Sequence, residues 1–469
     1  MKDNVLENRV VQSFKLQKIA NKEVRSLKYR KALIQKILDW IIENESNIKE
    51  AICKDFKKPD TEIDLTEIWV CIKEARYILK NLKRWLKKEK ISKTLALLTT
   101  SSYIVREPKG IVLIIAPWNY PFQLSIMPLL AAIASGNSIF LKPSEKTPQT
   151  SALIDKMVSD LFQPQDVVVF EGGEKTVSLL LEHKFDHIFY TGGTEVGRII
   201  MKKAAEKLTP VTLELGGKCP AIVDATANIK QAADKIAYFK FMNTGQTCVA
   251  PDYILVENNI CDEFINKIKD SIISMYGDIN KIKDNSDYGR IVNQDHAKRL
   301  SSTLKRTLDL GDTLEFGGDY DEVECFIAPT IIQSGFDSFI MEEEIFGPIL
   351  PVIKYDAFAG AVDSINKLES PLAAYIYSNK KSNINDFIKR TKSGAVSIND
   401  TSLHLIHEKL PFGGVGNSGI GMYHGKFGFD ELSHIRPIIR NIAQNPFKML
   451  YPPYSEKVKK VVEILKKRI

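Results

Sequence analysis

One cysteine stands in a context that suits nucleophilic chemistry. Cys248 follows a glycine-containing turn in the stretch FMNTGQTCVAPDY. A thiol is a poor nucleophile until it loses its proton, so a nucleophilic cysteine needs an electropositive, partly exposed niche. The backbone N–H groups of such a turn could provide that niche. A free cysteine is more often a buried structural thiol, and both interpretations remain open from this motif alone.

Two further side chains could assist a nucleophile. Glu214 ends an apolar stretch in TLELGGKCP, where apolar surroundings would raise the pKa of its carboxyl and suit it to general-base chemistry. The alternative is a carboxylate that caps a backbone turn. Asn119 lies between Pro117 and Pro121 in IAPWNYPF, and a side-chain amide on so stiff a loop could stabilise an oxyanion. The alternative is an asparagine that stabilises its own turn.

A glycine turn and a charged pair indicate a possible nucleotide site. The stretch YTGGTEVG contains Gly192, Gly193 and Gly197, with a threonine at the middle position of a GxGxxG pattern. N–H groups at a helix N-terminus there could bind phosphate oxygens, although a plain β–α turn is an equal interpretation. Lys142 and Glu145 in FLKPSEKTP could hold ribose hydroxyls, or could be solvated loop charges.

The elements that would position these residues alternate along the chain. Strand and helix patterns follow one another from 110 to 215 and again from about 217 to 417. This order predicts parallel, doubly wound sheets, which bind ligands beyond the carboxyl ends of their strands. The first eighty-odd residues have helical periodicity, whereas 95–106 and 434–441 favour strands.

Composition excludes several classes of protein. The chain has 469 residues, 44% of them hydrophobic and 26% charged, which predicts a globular protein of two or three domains. It has no apolar run long enough for a membrane-spanning helix and no apolar segment near its start, so we expect a cytoplasmic protein. The six cysteines are scattered and neither they nor the histidines show ligand spacing, so no metal site is expected.

The net charge of +7 does not indicate a nucleic-acid partner. More than half of it belongs to residues 455–469, SEKVKKVVEILKKRI, which form an amphipathic basic helix pattern. Its apolar face contains Val458, Val461, Val462, Leu465 and Ile469. Such a helix can lie on an anionic membrane, but we favour a helix that packs on the protein body or frays in solvent.

Taken together, the motifs resemble the aldehyde dehydrogenase superfamily. The resemblance extends over roughly residues 10–454 and rests on PWNYP, LKPSE, FYTGGTEVG, LELGGKCP, NTGQTCVAPDY, EEIFGP and PFGGVGNSGIG. The stretches TPVTLELGGK, GQTCVAPDYIL and YPPY are most similar to its class 3 branch, which includes fatty and aromatic aldehyde dehydrogenases. The resemblance implies an α/β fold with a Rossmann-type cofactor domain, an α/β catalytic domain and a small bridging β element.

The resemblance also implies a domain division and an assembly. We expect a homodimer whose subunits are bridged by strands. The expected parts are an NAD(P)-binding domain at 1–88 and 107–213, a catalytic domain at 214–417, a bridging and oligomerisation element at 89–106 and 430–445, and a basic tail at 455–469.

Residue roles follow from the matching positions. Cys248 would attack the aldehyde to form a thiohemiacetal and then a thioester, Asn119 and the Cys248 N–H would form the oxyanion hole, and Glu214 would activate water. NAD or NADP would be the cofactor, and the substrate an apolar medium- or long-chain or aromatic aldehyde. The residues implied for the cofactor are Trp118, Lys142, Glu145, Gly192, Gly193, Gly197, Glu344 and Phe346; those implied for the substrate tunnel are Tyr120, Leu124 and Phe412.

Two alternatives and one departure accompany this interpretation. A coenzyme A-acylating relative would commonly lack a base at Glu214, and a non-catalytic binding or structural relative would be free to lose Cys248 or Asn119. All three residues are present. The complete set favours an enzyme over a non-catalytic relative, and Glu214 favours a hydrolytic, acid-forming reaction over transfer to coenzyme A. Gly193 stands where the family often has a serine, so one hydroxyl donor to the cofactor phosphates is missing.

Overall fold

Two parallel sheets, each packed against helices, form the centre of the molecule. The computed structural model describes residues 2–94, 97, 99–401, 403–442, 448 and 451–467. The central strands of both sheets are runs of buried, mostly apolar residues, as expected for sheets covered on both faces, whereas the two edge strands of the second sheet are partly exposed. The α/β fold class predicted from the alternating pattern is confirmed.

The helices match the amphipathic stretches of the sequence. The α-helices are α1 (Lys2–Ala20), α2 (Leu27–Glu43), α3 (Glu45–Phe56), α4 (Asp60–Ile63), α5 (Trp69–Trp85), α6 (Gln123–Ser135), α7 (Pro148–Leu161), α8 (Glu174–Leu181), α9 (Thr194–Ala205), α10 (Ile229–Phe241), α11 (Cys261–Tyr276), α12 (Gln294–Asp309), α13 (Phe358–Ile365), α14 (Lys381–Arg390), α15 (Gly425–Glu431) and α16 (Glu456–Lys467). A π-helical turn, Asp64–Ile68, joins α4 to α5, and a 3₁₀ turn, Met242–Gly245, follows α10.

The strands are short and mostly apolar. They are β1 (Glu89–Ile91), β2 (Thr100–Pro108), β3 (Ile111–Ile115), β4 (Ser138–Lys142), β5 (Val167–Val169), β6 (His187–Thr191), β7 (Val211–Glu214), β8 (Pro220–Val223), β9 (Tyr253–Glu257), β10 (Thr313–Phe316), β11 (Tyr320–Asp321), β12 (Phe326–Ile327), β13 (Thr330–Gln333), β14 (Ile349–Tyr355), β15 (Ala373–Tyr377), β16 (Ala395–Ile398), β17 (Gly419–Ile420) and β18 (Ser433–Asn441).

The first sheet has the strand order of a dinucleotide-binding unit. Its order is β17-β7-β6-β3-β4-β5, with β3 to β7 parallel and β17 antiparallel to β7. The chain order reverses between β3 and β6, and open α/β sheets bind ligands beyond the carboxyl ends of strands at such a switch point. The loops that follow these two strands contain Trp118 and Asn119, and Gly192 and Gly193.

The second sheet supports the cysteine loop. Its order is β10-β13-β14-β9-β8-β15-β16, and its strands are parallel except for β10. The chain leaves β8, forms α10 and the 3₁₀ turn, and returns as β9. The segment with Cys248 therefore connects two neighbouring strands of this sheet.

A third sheet contains the strands predicted at 95–106 and 434–441. Its order is β1-β2-β18, and β18 pairs with β2 along its whole length. Residues 95, 96 and 98, and residues 443–445 of the predicted bridging element, lie outside the described part of the chain. The domain boundaries and the homodimer remain predictions.

The basic tail forms the predicted helix, α16. Ile469, one of the residues assigned to its apolar face, lies outside the described residues, and so does the side chain of Leu465. Within the described ranges, no helix is long and apolar enough to span a bilayer.

Candidate active site

The turn before Cys248 has a strained backbone. Asn243 and Thr244 adopt left-handed φ values of 53° and 54°, and Gly245 continues with φ 74°. A Cβ on Gly245 would lie 2.3 Å from the carbonyl oxygen of Gly347, so a glycine is required there. Left-handed non-glycine residues persist only where their surroundings hold them, and such strain is common at functional sites.

The side chain of Gln246 holds this turn. Its amide Nε2 donates to the carbonyl oxygens of Asn243 and Arg290, both at 3.0 Å, and its Oε1 accepts from the Val292 N–H at 2.9 Å. Gln246 is fully buried, so these hydrogen bonds form in a setting where unpaired polar groups are costly. The conformation that presents Cys248 is therefore built by a buried hydrogen-bond network.

Cys248 is half-buried and lines a cavity. Burial, followed by the charges of Glu344 and Glu214, raises the pKa of its thiol to about 12. The backbone N–H groups of Cys248 and Val249 act in the opposite direction and lower this pKa, as expected of the turn, but burial and the two carboxyl groups outweigh them. The thiol is neutral near pH 7, so a neighbouring base must remove its proton before it can attack a carbonyl.

Glu214 ends β7 with its carboxyl group buried. Neither carboxyl oxygen has a hydrogen-bond partner among the described residues, so the alternative of a carboxylate that caps a turn is wrong. Burial, with a smaller contribution from Glu431, raises the pKa of Glu214 well above its ordinary value. A neutral carboxyl in a dry setting becomes a strong base once it ionises, because no hydrogen bond stabilises the anion.

Asn119 joins the cysteine turn instead of forming a turn of its own. Its Nδ2 donates to the carbonyl oxygen of Gln246 at 3.1 Å, and its backbone oxygen accepts from Nδ2 of Asn243 at 2.8 Å. Asn119 is only 4% exposed. The structure therefore brings the amide of Asn119 to the loop that carries Cys248, although 129 positions separate the two residues in the chain.

A cavity of about 370 Å³ leads to the thiol. All three residues predicted for a substrate tunnel, Tyr120, Leu124 and Phe412, line it together with Cys248 and Glu214. Most of the remaining lining is apolar and includes Leu65, Trp69, Val70, Met127, Phe239 and Met242. Such a lining favours an apolar ligand whose reactive group meets the polar end.

Residues predicted for a cofactor lie at the carboxyl ends of the first sheet. Lys142 Nζ, at the end of β4, is 2.5 Å from Glu145 Oε2. Gly193 precedes the first residue of α9, and a Cβ on it would contact nothing within 4 Å. Gly197 lies within α9, where a Cβ would lie 2.8 Å from Leu215, so it permits close packing of helix and strand.

An aromatic pair stands beside these residues. The rings of Trp118 and Phe346 meet edge to face with centroids 5.3 Å apart. Phe346 has a left-handed φ of 50°, which indicates that its neighbours hold this ring in place.

Glu344 faces the glycine pair after Glu214. A Cβ on Gly216 would lie 2.1 Å from Glu344 Oε2, so a glycine is needed for this approach. Burial, then the charge of Asp252, raises the pKa of Glu344 to about 8. Asp252 also accepts from the Ile345 N–H at 2.9 Å and pairs with Lys218, which fixes the backbone next to Glu344.

The sequence interpretation missed two basic residues at this site. Nζ of Lys146 lies 2.8 Å from Nε2 of His296, whose ring centroid is 5.0 Å from that of Trp118. Burial, then the charge of Lys146, lowers the pKa of His296 to about 4. Lys146 directly follows Glu145 and could have been included from its position. His296 carries no local signal, because it comes from α12, far along the chain.

Among the described residues, no cluster of histidine, cysteine and acidic side chains is arranged to hold a metal ion.

Comparison with known proteins gives a consistent result. The family model described as "Aldehyde dehydrogenase family" matches residues 15–438. The chain is 42% identical to 4,4'-diaponeurosporen-aldehyde dehydrogenase of Staphylococcus aureus, over 95% of this chain and 96% of that protein. It is 40% identical to aldehyde dehydrogenase family 3 member A2 of Pongo abelii, over 92% of this chain and 88% of that protein. The predicted similarity to the class 3 branch is thereby confirmed.

Solved structures agree with the sequence relatives. A substrate-bound Staphylococcus aureus AldH superposes with a TM-score of 0.93 at 41% identity, covering 97% of this chain and 99% of that chain. The NAD⁺ complex of a Bacillus cereus aldehyde dehydrogenase gives a TM-score of 0.84 at 26% identity, covering 93% of this chain and 89% of that one. This chain belongs to the aldehyde dehydrogenase family and is an oxidoreductase that acts on aldehydes.

Proposed function

We propose that the protein oxidises apolar medium- or long-chain or aromatic aldehydes to carboxylic acids, with NAD or NADP as cofactor and a thioester on Cys248 as intermediate. The observation that carries this proposal is that one apolar cavity is lined by both the half-buried thiol of Cys248 and the unpartnered carboxyl of Glu214. The apolar lining of that cavity favours an apolar substrate, and the name of the staphylococcal relative, 4,4'-diaponeurosporen-aldehyde dehydrogenase, supports an aldehyde as the reacting group.

The residues present fit a dinucleotide cofactor. The space beyond Gly193 is open at the N-terminus of α9, where N–H groups attract phosphate oxygens. Lys142 and Glu145 would hold the adenosine ribose, Glu344 the nicotinamide ribose, and Trp118 and Phe346 would line the path between them. When bound, NAD or NADP supplies the acceptor for the hydride that leaves the substrate carbon.

The first chemical step is attack of the thiol on the aldehyde carbon. Because the pKa of Cys248 is raised to about 12, a carboxylate must take its proton, and Glu344 is the acidic group whose charge acts most strongly on this thiol. The new C–S bond places a negative charge on the former carbonyl oxygen. The Nδ2 group of Asn119 and the backbone N–H of Cys248 would donate to that oxygen and stabilise it.

The last step is hydrolysis of the thioester. Ionised Glu214 would take a proton from a water molecule, whose oxygen attacks the thioester carbon. The C–S bond then breaks, the acid is released and the thiol of Cys248 is restored. The buried, unpartnered state of Glu214 supports this role, because it keeps the carboxyl basic and without competing hydrogen bonds.

Two substitutions test the proposal. With Cys248→Ser, we expect loss of steady aldehyde oxidation while the fold, followed by circular dichroism, is kept; near-normal turnover would remove Cys248 from the reaction.

With Glu214→Gln, we expect one burst of NAD(P)H and then an acyl-enzyme that accumulates and is visible by mass spectrometry. Unchanged steady turnover would show that another group activates water.

Two assays separate the alternative functions. We expect acid formation to proceed without coenzyme A, whereas turnover that requires coenzyme A would identify an acyl-transferring enzyme. Absence of NAD(P)H formation with every member of a chain-length and aromatic aldehyde series would identify a non-catalytic relative. The same series, run with each cofactor, determines the substrate class and the preference between NAD and NADP.

A further inference from the structure

A buried ion pair lies behind the cysteine loop and has no part in the reaction described above. Lys58, between α3 and α4, is 1% exposed, and its Nζ is 2.9 Å from Oε1 of Glu67 in the π-helical turn. The other carboxyl oxygen of Glu67 accepts from the Gln123 N–H at 2.8 Å. Glu67 is fully buried, so both charges of the pair are removed from water.

The charge of Lys58 is in contact with the active-site wall. Its Nζ lies 3.9 Å from the centroid of the Tyr120 ring, a distance at which a cation and an aromatic face attract each other. The Tyr120 hydroxyl lies 2.6 Å from Oγ1 of Thr247, the residue directly before Cys248. A continuous series of buried contacts therefore runs from Glu67 through Lys58 and Tyr120 to the nucleophile.

The same N-terminal segment holds the other end of the turn. Oε2 of Glu62, in α4, accepts from the N–H of Asn243 at 2.9 Å. Asn243 is the first residue of the left-handed pair. The six-residue segment that ends at Cys248 is therefore contacted at both ends. Glu62 binds its first residue, Asn243, and Lys58, four positions earlier in the chain, acts on Thr247 through Tyr120.

Stability alone is a weak reason for this arrangement. Removing two charges from water is costly, and apolar side chains of similar volume often stabilise a core equally well. A strained backbone, in contrast, needs neighbours that leave it no alternative. The pair stands where it can restrict the ring of Tyr120 and, through it, the orientation of Thr247.

We propose that Lys58, held by Glu67, is a positioning residue that sets the location of the Cys248 thiol through Tyr120 and Thr247. This inference rests on the proposed role of Cys248 as nucleophile. Without the cation, the Tyr120 ring and the hydroxyl of Thr247 lose their fixed orientation, and the thiol is no longer held in reach of the aldehyde carbon. A shift of about 1 Å in a reacting group can cost roughly a hundredfold in rate.

The test removes both charges together, so that no unpaired charge stays buried. For Lys58→Met/Glu67→Gln we expect kcat to fall by about tenfold to a hundredfold, with the KM of the cofactor unchanged. The rate at which iodoacetamide alkylates Cys248, followed by mass spectrometry, should fall together with kcat. The matched control is Arg25→Met/Asp166→Asn, which removes another largely buried pair, at 3.0 Å, and should lower the melting temperature without altering either rate.

A second comparison tests the route of the effect. Tyr120→Phe removes the hydroxyl that meets Thr247, so Lys58→Met/Glu67→Gln should have a much smaller effect on kcat in that background, as coupled residues are non-additive. Independent, additive effects, or rates no lower than those of the Arg25 control, would overturn the proposal. If the double variant does not fold, Lys58→Arg is compared in the wild-type and Tyr120→Phe backgrounds. Arginine keeps the charge but cannot place it at the position of the lysine Nζ over the ring, so kcat should fall in the wild-type background and much less in Tyr120→Phe; equal effects in both backgrounds would overturn the proposal.

The alkylation readout separates this inference from the proposed function. Alkylation measures the thiol itself and does not depend on turnover. If Cys248→Ser still oxidises aldehydes, the proposed function fails; if Cys248 is essential but its alkylation is insensitive to Lys58, the positioning role fails.

Discussion

The buried carboxyl of Glu214 gives the protein a distinct dependence of stability on pH. Because burial raises its pKa well above the ordinary value, the folded protein holds a proton that the unfolded chain releases. This contribution to stability is complete below the ordinary glutamate pKa of about 4.3 and is lost as the pH rises through the raised, folded-state pKa. Glu214→Gln cannot ionise, so its melting temperature relative to wild type should improve from ~pH 5 to ~pH 9.

The control for this prediction is an exposed glutamate. Glu369 is exposed on a loop, and Glu369→Gln should shift the melting temperature equally little at both pH values. A relative melting temperature of Glu214→Gln that is the same at both pH values would mean that Glu214 is already ionised in the folded protein.

Gly193 makes a second residue-scale prediction possible. A Cβ there would contact nothing within 4 Å, so a serine fits at the start of α9 without displacing a neighbour. If Gly193 contacts the cofactor phosphates, the hydroxyl of Gly193→Ser should add one hydrogen bond to them. An ordinary hydrogen bond contributes about 1 kcal/mol, so the dissociation constant of the cofactor should fall about fivefold. Titration calorimetry measures the change. Gly193→Ala adds the carbon without the hydroxyl and should bind like wild type; equal gains from both variants would contradict a hydrogen bond.

At the scale of elements, the turn before Cys248 depends on contact with the segment after Phe346. Gly245→Ala would place a Cβ 2.3 Å from the carbonyl oxygen of Gly347, so either backbone must move. We expect loss of activity and a destabilisation well above the roughly 1 kcal/mol cost of a left-handed alanine. Urea unfolding gives the free energy of unfolding, and initial rates give the activity.

Gly311, which lies just beyond the C-terminus of α12, provides the control for that turn. It also has a positive φ, 106°, but a Cβ there would meet nothing within 4 Å. Gly311→Ala should therefore show only the backbone cost, about 1 kcal/mol, with normal turnover. Equal effects of the two substitutions would mean that the contact between the two segments is unimportant.

The elements themselves were largely predictable, whereas their conformations at the site were not. Apolar runs and amphipathic periods located β3, β4, β6 and β7, because burial on both faces leaves a clear pattern in the sequence. The left-handed pair at Asn243 was not predictable, because its strain is offset by distant groups such as Glu62. Lys58 was missed for the same reason: a lysine beside a proline shows no sign of burial until the fold places Glu67 and Tyr120 around it.

At the scale of the whole molecule, the active site lies where separate parts of the chain meet. Asn119 follows β3 and Glu214 ends β7, both in the first sheet, and Cys248 belongs to a connection of the second sheet. Phe412 lies on the segment between β16 of the second sheet and β17 of the first. Lys58 comes from the N-terminal helices. The arrangement explains why no single motif decided the function, and why the order of motifs along the chain was more informative than each one alone.

The third sheet is the basis of a prediction about assembly. Within the described residues, β18 pairs on one side only, with β2, and its nine residues include the exposed Ile435 and Ile439. A long edge strand with exposed apolar side chains promotes association unless another chain covers it. We propose that a second copy of the protein does so, as the family resemblance implies.

Substitution at the edge strand tests this proposal. Ile439 is 61% exposed, so Ile439→Lys should leave the monomer fold intact while placing an unpaired charge in the interface. We expect light scattering after size exclusion to show a dimer for wild type and a monomer for the variant. Ile388→Lys, at a 48% exposed position in α14, should remain dimeric. If Ile439→Lys is still a dimer, the interface lies elsewhere. An unpaired ammonium group buried between two subunits would weaken their association strongly.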